Sequence, residues 1–239
     1  MLIVLIGGGQ GLKEMLQSNF AGFATNTAMI WTQNTTKPYK GFRKGRYVMM
    51  VEKDMTRLRQ QVPELDIITP YMFGGNKKAV VGEYSFDATV SGVDYDYARV
   101  APPMMYYGRY INEMDVRQAR KVCVIGKEVY KKLFPGGGDP CGKRIRVDAA
   151  YYTVVGVDYK VNGINISGRP DQLVTIPYTL FRKTYNTGDQ IHSLAVTGKP
   201  GVVMSTLTDR IRTVIARAHM IDPTDEKAIT TFNTEVLFA

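Results

Sequence analysis

The sequence predicts an α+β fold: a split β-α-β layer that carries an inserted small α/β unit. Three observations lead there. Residues 24–92 read as β-α-β-β, and residues 191–233 read as β-α-β. Between them, from about residue 93, a Tyr- and Pro-rich stretch gives way to a compact unit of alternating strand and helix. Two such end segments separated by about 100 residues make a split ferredoxin-like layer with an insertion.

Taken in order, the first periodic segment is a helical stripe of Leu12, Met15, Leu16 and Phe20, spaced i, i+3, i+4, i+8. A strand at about 24–33 follows, then the polar loop "KPYKGFRKGR". The next segment is a helix at 51–62, with Met55, Leu58 and Val62 near one face. "ELDIITPYMF" and "AVVGEYSFDATVSGV" read as strands, the second with partial alternation. Residues 93–115 read as loop and short helix, broken by Pro102–Pro103. The middle unit comprises a strand at 121–125, a helix at 127–134, the turn "PGGGDPCGK" and the strand pair "RIRVDAAYYTVVGVDYK". "VNGINISGRPDQ" is a polar loop, "LVTIPY" a strand and "TLFRKTY" a short helix. "IHSLAVTG" is a strand, and a helix at about 203–220 carries the stripe Leu207, Ile211, Val214 and Ile215. Pro223 prevents its continuation, and a strand at 228–232 closes the pattern.

At 239 residues the chain buries enough apolar surface to fold without disulfide or metal staples. Cys123 lies in the apolar run "VCVI" and reads as a small buried hydrophobe, whereas Cys141 follows Pro140 in a turn. Two cysteines and two histidines, His192 and His219, have no metal-ligand spacing, so no metal and no cofactor site is predicted. The net charge of +9 permits anionic partners. Its densest cluster interleaves Lys37, Lys40, Arg43, Lys44 and Arg46 with Tyr39 and Phe42, as a single-strand binder would. The Pro and Gly residues of the same stretch read more simply as a solvated loop, and the remaining cations are dispersed. Nucleic acid is therefore not an expected partner.

Two phosphate-binding patterns fail on inspection. In "GGGQGL", Gly7 and Gly9 fit a dinucleotide fingerprint but Leu12 occupies its third glycine, and the following strand ends in Thr32 and Gln33 where an acid is required. The run from Gly137 to Arg144 imitates a phosphate loop, but Arg144 replaces the magnesium-binding hydroxyl and the run follows a helix. Met1–Ile6 is apolar, yet as helix it spans only about 9 Å of a bilayer core of about 30 Å. It does not read as a secretory signal, since the stretch shows neither a basic leader nor a small-residue cleavage site. It reads either as the stump of a longer membrane helix or as a buried first strand.

The carboxylates Asp94, Asp96, Glu113 and Asp115 are the nearest thing to an acid–base set, because two of them held 5–10 Å apart could serve glycoside hydrolysis. Acidic residues in turns and helix caps greatly outnumber catalytic pairs, so cap chemistry is the expected role and no catalytic residue is assigned. "MMYYGRY" could present Met104, Met105, Tyr106, Tyr107 and Tyr110 to a partner, or pack them onto the inserted unit.

Six phrases in order, "VSGVDYDY", "GRYINEMD", "KVCVIGKEVYKKLF", "DPCGKRIRV", "YYTVVGVDYK" and "VTIPYTLFRK", resemble the periplasmic core domain of MacB-like ABC transporter permeases. That family also carries the FtsX-like membrane segment. The resemblance runs from about Gly8 to the C-terminus. It implies that residues 1–20 are the end of a trimmed first transmembrane helix and its extension. It further implies a porter-like subdomain at 21–92 plus 190–239 and an inserted Sabre-like subdomain at 93–189. The protein would then sit in a bacterial inner membrane with this domain in the periplasm. It would not be an enzyme itself, because ATP hydrolysis would reside on a cytoplasmic ATPase subunit or domain. A second permease copy and a periplasmic adaptor or other protein are the further implied partners. Its role would be to transmit conformational change for efflux, lipoprotein release or signalling. Two departures stand out: no counterpart of the long hook-like loop of some lipoprotein-releasing relatives, and a charge of +9, high for a translocated segment. The residues read without that resemblance leave a soluble α/β ligand- or partner-binding module, and less readily a hydrolase.

Overall fold

A computed structural model describes residues 26–161 and 168–237. The stripe Leu12–Phe20, the fingerprint glycines, the segment 1–20 and the middle of the loop "VNGINISGRPDQ" lie outside those residues. The first part of the fold is built from β1 (Thr27–Thr32), β2 (Met50–Val51), α1 (Glu52–Gln61), β3 (Leu65–Val81) and β4 (Tyr84–Val93). The middle contributes α2 (Tyr97–Val100), β5 (Met105–Gly108), α3 (Glu113–Arg117), β6 (Val122–Gly126), α4 (Lys127–Leu133), β7 (Arg144–Val147) and β8 (Ala150–Asp158). It ends with β9 (Leu173–Pro177) and α5 (Tyr178–Tyr185). The last part is β10 (Gln190–Ile191), β11 (Ser193–Gly198), α6 (Thr208–Ala218) and β12 (Ile229–Asn233). Among the described residues, no helix is long and apolar enough to cross a membrane.

One ten-stranded sheet holds the molecule together, in the order β12-β1-β11-β3-β4-β9-β6-β8-β5, with β7 bridging β3 and β8. The first four strands are all antiparallel to their neighbours. They come from two interleaved β-α-β units, β1-α1-β3 and β11-α6-β12, which is the split layer predicted. Helices α1 and α6 pack side by side. The predicted stripes face inward: Met55, Leu58 and Val62 from the first unit, Leu207, Ile211, Val214 and Ile215 from the second, all buried. β9 and β11, buried along their whole length, read as near-continuous apolar runs because both faces are covered.

Two elements differ from the sequence expectation. The second strand-like run is interrupted by a two-residue turn, Gly82–Glu83, with Gly82 in the left-handed region that such a turn needs. β3 instead continues through the polar "GGNKK" to a length of 17 residues, about 55 Å. Gly75, Asn76 and Lys78 are exposed there although their partner strand buries Val90 and Ala88, so no apolar pattern marks the stretch in β3 itself. The second is β5, a strand inside a segment expected to be loop and short helix. It pairs with β8 alone at the sheet edge, and its four residues are too few for alternation to show.

Candidate coupling site

The β3–β4 hairpin is the element shared by the two ends of the sheet. Its base pairs with β11 from Leu65 to Tyr71, and its far half pairs with β7 at Ala79 and Val80. β4 passes the sheet on to β9 in parallel pairing from Thr89 to Val93. Where the hairpin leaves the first layer, its register shifts between Phe73 and Gly75. A bulge leaves a backbone group without a ladder partner. Here the Phe73 N–H donates to His192 Nδ1 at 2.8 Å. The two rings stack, and Phe181 of α5 meets the imidazole edge-on with ring centroids 5.7 Å apart. Burial holds the His192 pKa below its usual value of 6.5. The ring is therefore neutral near pH 7, with its proton on Nε2 because Nδ1 accepts.

Phe181 can lie this close because two positions beneath it lack a side chain. A Cβ at Gly92 would stand 2.9 Å from the Phe181 Cβ, and one at Gly74 would stand 2.8 Å from the Val90 Cβ. α5 is also tied to α1 at the surface. Arg182 Nη1 pairs with Glu52 Oε2 at 2.9 Å, and the Tyr178 hydroxyl donates to Glu52 Oε1 at 3.1 Å. On another side of the junction Tyr97 packs on Tyr71 with ring centroids 5.0 Å apart, and Arg99 reaches Asp66 at 3.3 Å.

The acidic candidates separate into different environments. Asp94 begins the segment that leaves β4, and its pKa is pushed up to about 6, first by burial and then by the charges of Asp96 and Glu113. Its Oδ1 accepts the Tyr95 N–H at 2.7 Å. Asp115 is fully buried and forms a reciprocal cap with Asn112. Burial alone would raise its carboxyl, but the Arg109 fork (2.6 and 3.2 Å), the Asn112 N–H and Arg120 outweigh that and leave it lowered. Glu113 pairs with Arg117 on the surface of α3, and Asp96 precedes α2. A carboxylate held ionised by a bidentate Arg is a structural anchor rather than a proton carrier. Among the described residues, no three His, Cys, Asp or Glu side chains stand together as metal ligands would.

The aromatic run alternates. Met104 and Tyr106 are exposed, whereas Met105, Tyr107 and Tyr110 pack against the core. Tyr106 lies flat on Tyr159 with centroids 4.1 Å apart, and Tyr107 meets it edge-on. The basic loop is tied down by its own chemistry. Arg46 covers Phe42, Lys40 covers Tyr39, and Arg46 Nη2 donates to the carbonyls of His219 and Met220. The buried Asp225 accepts from the Thr36 N–H, the Thr36 hydroxyl and the Lys37 N–H. Below it, His219 Nε2 and Asp54 Oδ2 lie 2.6 Å apart and join α6 to α1. Cys123 is buried and Cys141 half-buried, both free, and burial pushes both thiols up, Cys141 to about 11. Gly137–Arg144 is a turn running into β7, with no helix after it to hold a phosphate. Sequence reading named neither His192 nor Phe181 as junction residues; an isolated His beside a strand carries no pattern by which to find it.

The start of β1 and the finish of β12 meet at one end of the sheet, beside the finish of β11. Thr234 Oγ1 donates to the Thr27 carbonyl at 2.9 Å, and the Gly198 N–H donates to the Asn26 carbonyl at 3.2 Å.

Comparison with known proteins matches residues 1–214 to the family model of the MacB-like periplasmic core domain. The chain is 22% identical over 231 residues to the macrolide export ATP-binding/permease protein MacB of Chlorobium phaeobacteroides, covering 94% of this chain and 34% of that protein. It is 24% identical over 180 residues to the pyoverdine export ATP-binding/permease protein PvdT of Pseudomonas aeruginosa, covering 74% and 26% respectively. It thus spans between about a quarter and a third of the length of these relatives. The crystal structure of the periplasmic region of MacB from Actinobacillus actinomycetemcomitans superposes with a TM-score of 0.72 at 22% identity, over 93% of this chain and 95% of that one. The extracellular domain of the noncanonic ABC-type transporter YknZ from Gram-positive bacteria gives 0.71 at 16% identity, over 87% and 100%. With nine-tenths of its length under the family model and an α+β sheet of the same fold, the chain belongs to the family of MacB-like periplasmic core domains.

Proposed function

We propose that this chain is the periplasmic domain of an ABC permease in a bacterial inner membrane, and that it conveys conformational change between a cytoplasmic ATPase and a periplasmic event. The observation that carries this reading is the convergence of Asn26 and Thr27 with Gly198 and Thr234 at one end of the sheet. A domain mounted on a membrane must take its chain in and out on one side. From that end β3 runs outward for about 55 Å, long enough to act as a lever. The domain itself is non-enzymatic in this reading; ATP hydrolysis belongs to a separate nucleotide-binding domain or subunit. A second permease copy completes the transporter, and a periplasmic adaptor or other protein receives the motion. The serving process is efflux, lipoprotein release or signalling.

In this reading residues 21–92 with 190–239 form a porter-like subdomain and residues 93–189 a Sabre-like one, and they shift against each other at the Phe73–His192–Phe181 junction. Packed interfaces have discrete arrangements rather than continuous ones, which suits a coupling device. The test uses the full-length permease assembled with its ATPase, in a Cys141→Ser background. Tyr47→Cys, whose parent side chain is 68% exposed, should react with a membrane-impermeant maleimide from the periplasmic side. Glu52→Cys with Arg182→Cys, bridged by a short bifunctional thiol reagent, should reduce ATP hydrolysis severalfold and recover on reduction. A bridged transporter with unchanged hydrolysis would refute the coupling role; labelling only from the cytoplasm would refute the location.

A further inference from the structure

In the middle segment three strands lie in the order β6-β8-β7, and their ends bring cations into one row. The Thr153 N–H donates to the Lys121 carbonyl at 2.9 Å, and Thr153 pairs in register with Arg144 on its other side. Lys183 on α5 faces the same space. Together they line a cleft of about 880 Å³ whose floor is Leu180 and the ring of Tyr152, both buried. This is within the size range of a small-molecule site and far larger than a single phosphate ion.

The charge in this cleft is unbalanced. Among the described residues, no carboxylate lies within ion-pair reach of Lys121, Arg144 or Lys183; nearby Asp115 is held by Arg109 and Arg120, and Asp148 faces Lys77 at 3.8 Å. Arg144 stacks over Tyr151, 5.0 Å from the ring centroid, and makes no ion pair among the described residues. Thr153 and Thr184 add hydroxyl donors to the walls. A guanidinium fork suits phosphate oxygens, two ammonium groups add point charge, and threonine hydroxyls can donate as well as accept.

We propose that this cleft binds a soluble organic phosphate bearing two or more anionic groups. The alternative source of the same chemistry is a lipid headgroup, and position argues against it. Lys183 lies two residues from Phe181, which packs at Gly74, about 30 Å along β3 from Leu65, and Leu65 pairs with Gly198 at the end of the sheet where β1 starts and β12 finishes. That exclusion of a bilayer rests on the membrane side proposed above; the cleft does not.

The experiment is calorimetric titration of the 239-residue chain with fructose 1,6-bisphosphate, with inorganic phosphate, and with equimolar phosphatidylglycerol–phosphatidylcholine vesicles. Saturable binding of the bisphosphate is expected, tighter than that of inorganic phosphate and weakened by salt. Each of Lys121→Gln, Arg144→Gln and Lys183→Gln should weaken it about two- to fivefold, and the triple variant more than tenfold. A control variant, Lys40→Gln/Arg43→Gln/Lys44→Gln, removes the same charge from the distant exposed loop and should leave binding unchanged. Equal weakening by the control would reveal unspecific attraction to a basic chain and overturn the site. Absence of saturable bisphosphate binding would overturn it as well, and binding to vesicles alone would overturn the soluble source. None of these outcomes bears on whether the permease couples ATP hydrolysis to motion, so the two proposals fail separately.

Discussion

Asp94→Asn should stabilise this domain, and by an amount that depends on pH. In the folded chain the carboxyl titrates at about 6 rather than at its ordinary 3.8, chiefly because it is taken out of water and secondarily because Asp96 and Glu113 stand near. Between those two values the folded state holds a proton that the unfolded chain has lost. Stability therefore falls as pH rises through that window and stays lower above it. The full displacement corresponds to about 3 kcal/mol, and the partial exposure of the side chain reduces the expected effect to about 1–3 kcal/mol. Asparagine keeps an acceptor for the Tyr95 N–H, now 2.7 Å from Oδ1, and removes the charge. Thermal melts of both proteins from pH 4 to 8 read the difference. Asp94→Asn should melt roughly 3–8 °C higher at pH 7.5, and the gap should close near pH 4. A gap that is constant with pH, or a variant that melts lower at pH 7.5, would refute the reasoning.

Two further changes test the junction and the loop. His192→Ala removes the acceptor for the Phe73 N–H at the β3 bulge and should cost about 1–3 kcal/mol at pH 7.5 in urea melts. Because the folded His192 pKa is held below 6.5, its stabilising contribution is lost as pH falls through that region, and the deficit of the variant should shrink toward pH 5. Asp225→Ala strips the acceptor from Thr36 and Lys37 and from the Ala228 N–H, with an expected loss of about 3 kcal/mol. The released loop should become susceptible to trypsin after Lys40, Arg43 and Lys44; unchanged digestion would show that Arg46 alone holds it.

Much of the fold was legible in local pattern. The stripes Met55–Leu58–Val62 and Leu207–Ile211–Val214–Ile215 mark the two layer helices because helical period and burial coincide there. The same is true of β9 and β11, whose apolar runs reflect burial on both faces. Cap chemistry for Asp115 was also readable, since Asn112 three residues earlier completes a reciprocal cap.

Period says which face of an element is buried but not what buries it. That both end segments and the middle segment share one sheet through the β3–β4 hairpin is visible in three dimensions alone, because strand pairing across more than a hundred residues leaves no local trace. β5 and the outer half of β3 escaped for a related reason: an edge strand, or one built of glycine and polar residues, has no apolar alternation to reveal it. Lys121, Arg144 and Lys183 looked like dispersed solvated charges in the sequence, and they become a cleft only when β6, β8, β7 and α5 meet. His192 likewise is one unremarkable residue until a bulge on a distant strand presents it with an N–H to accept. Local pattern was enough for the layer helices, the buried strands and the family resemblance; the geometry of long-range pairing set which side chains face one another, and hence where chemistry can occur.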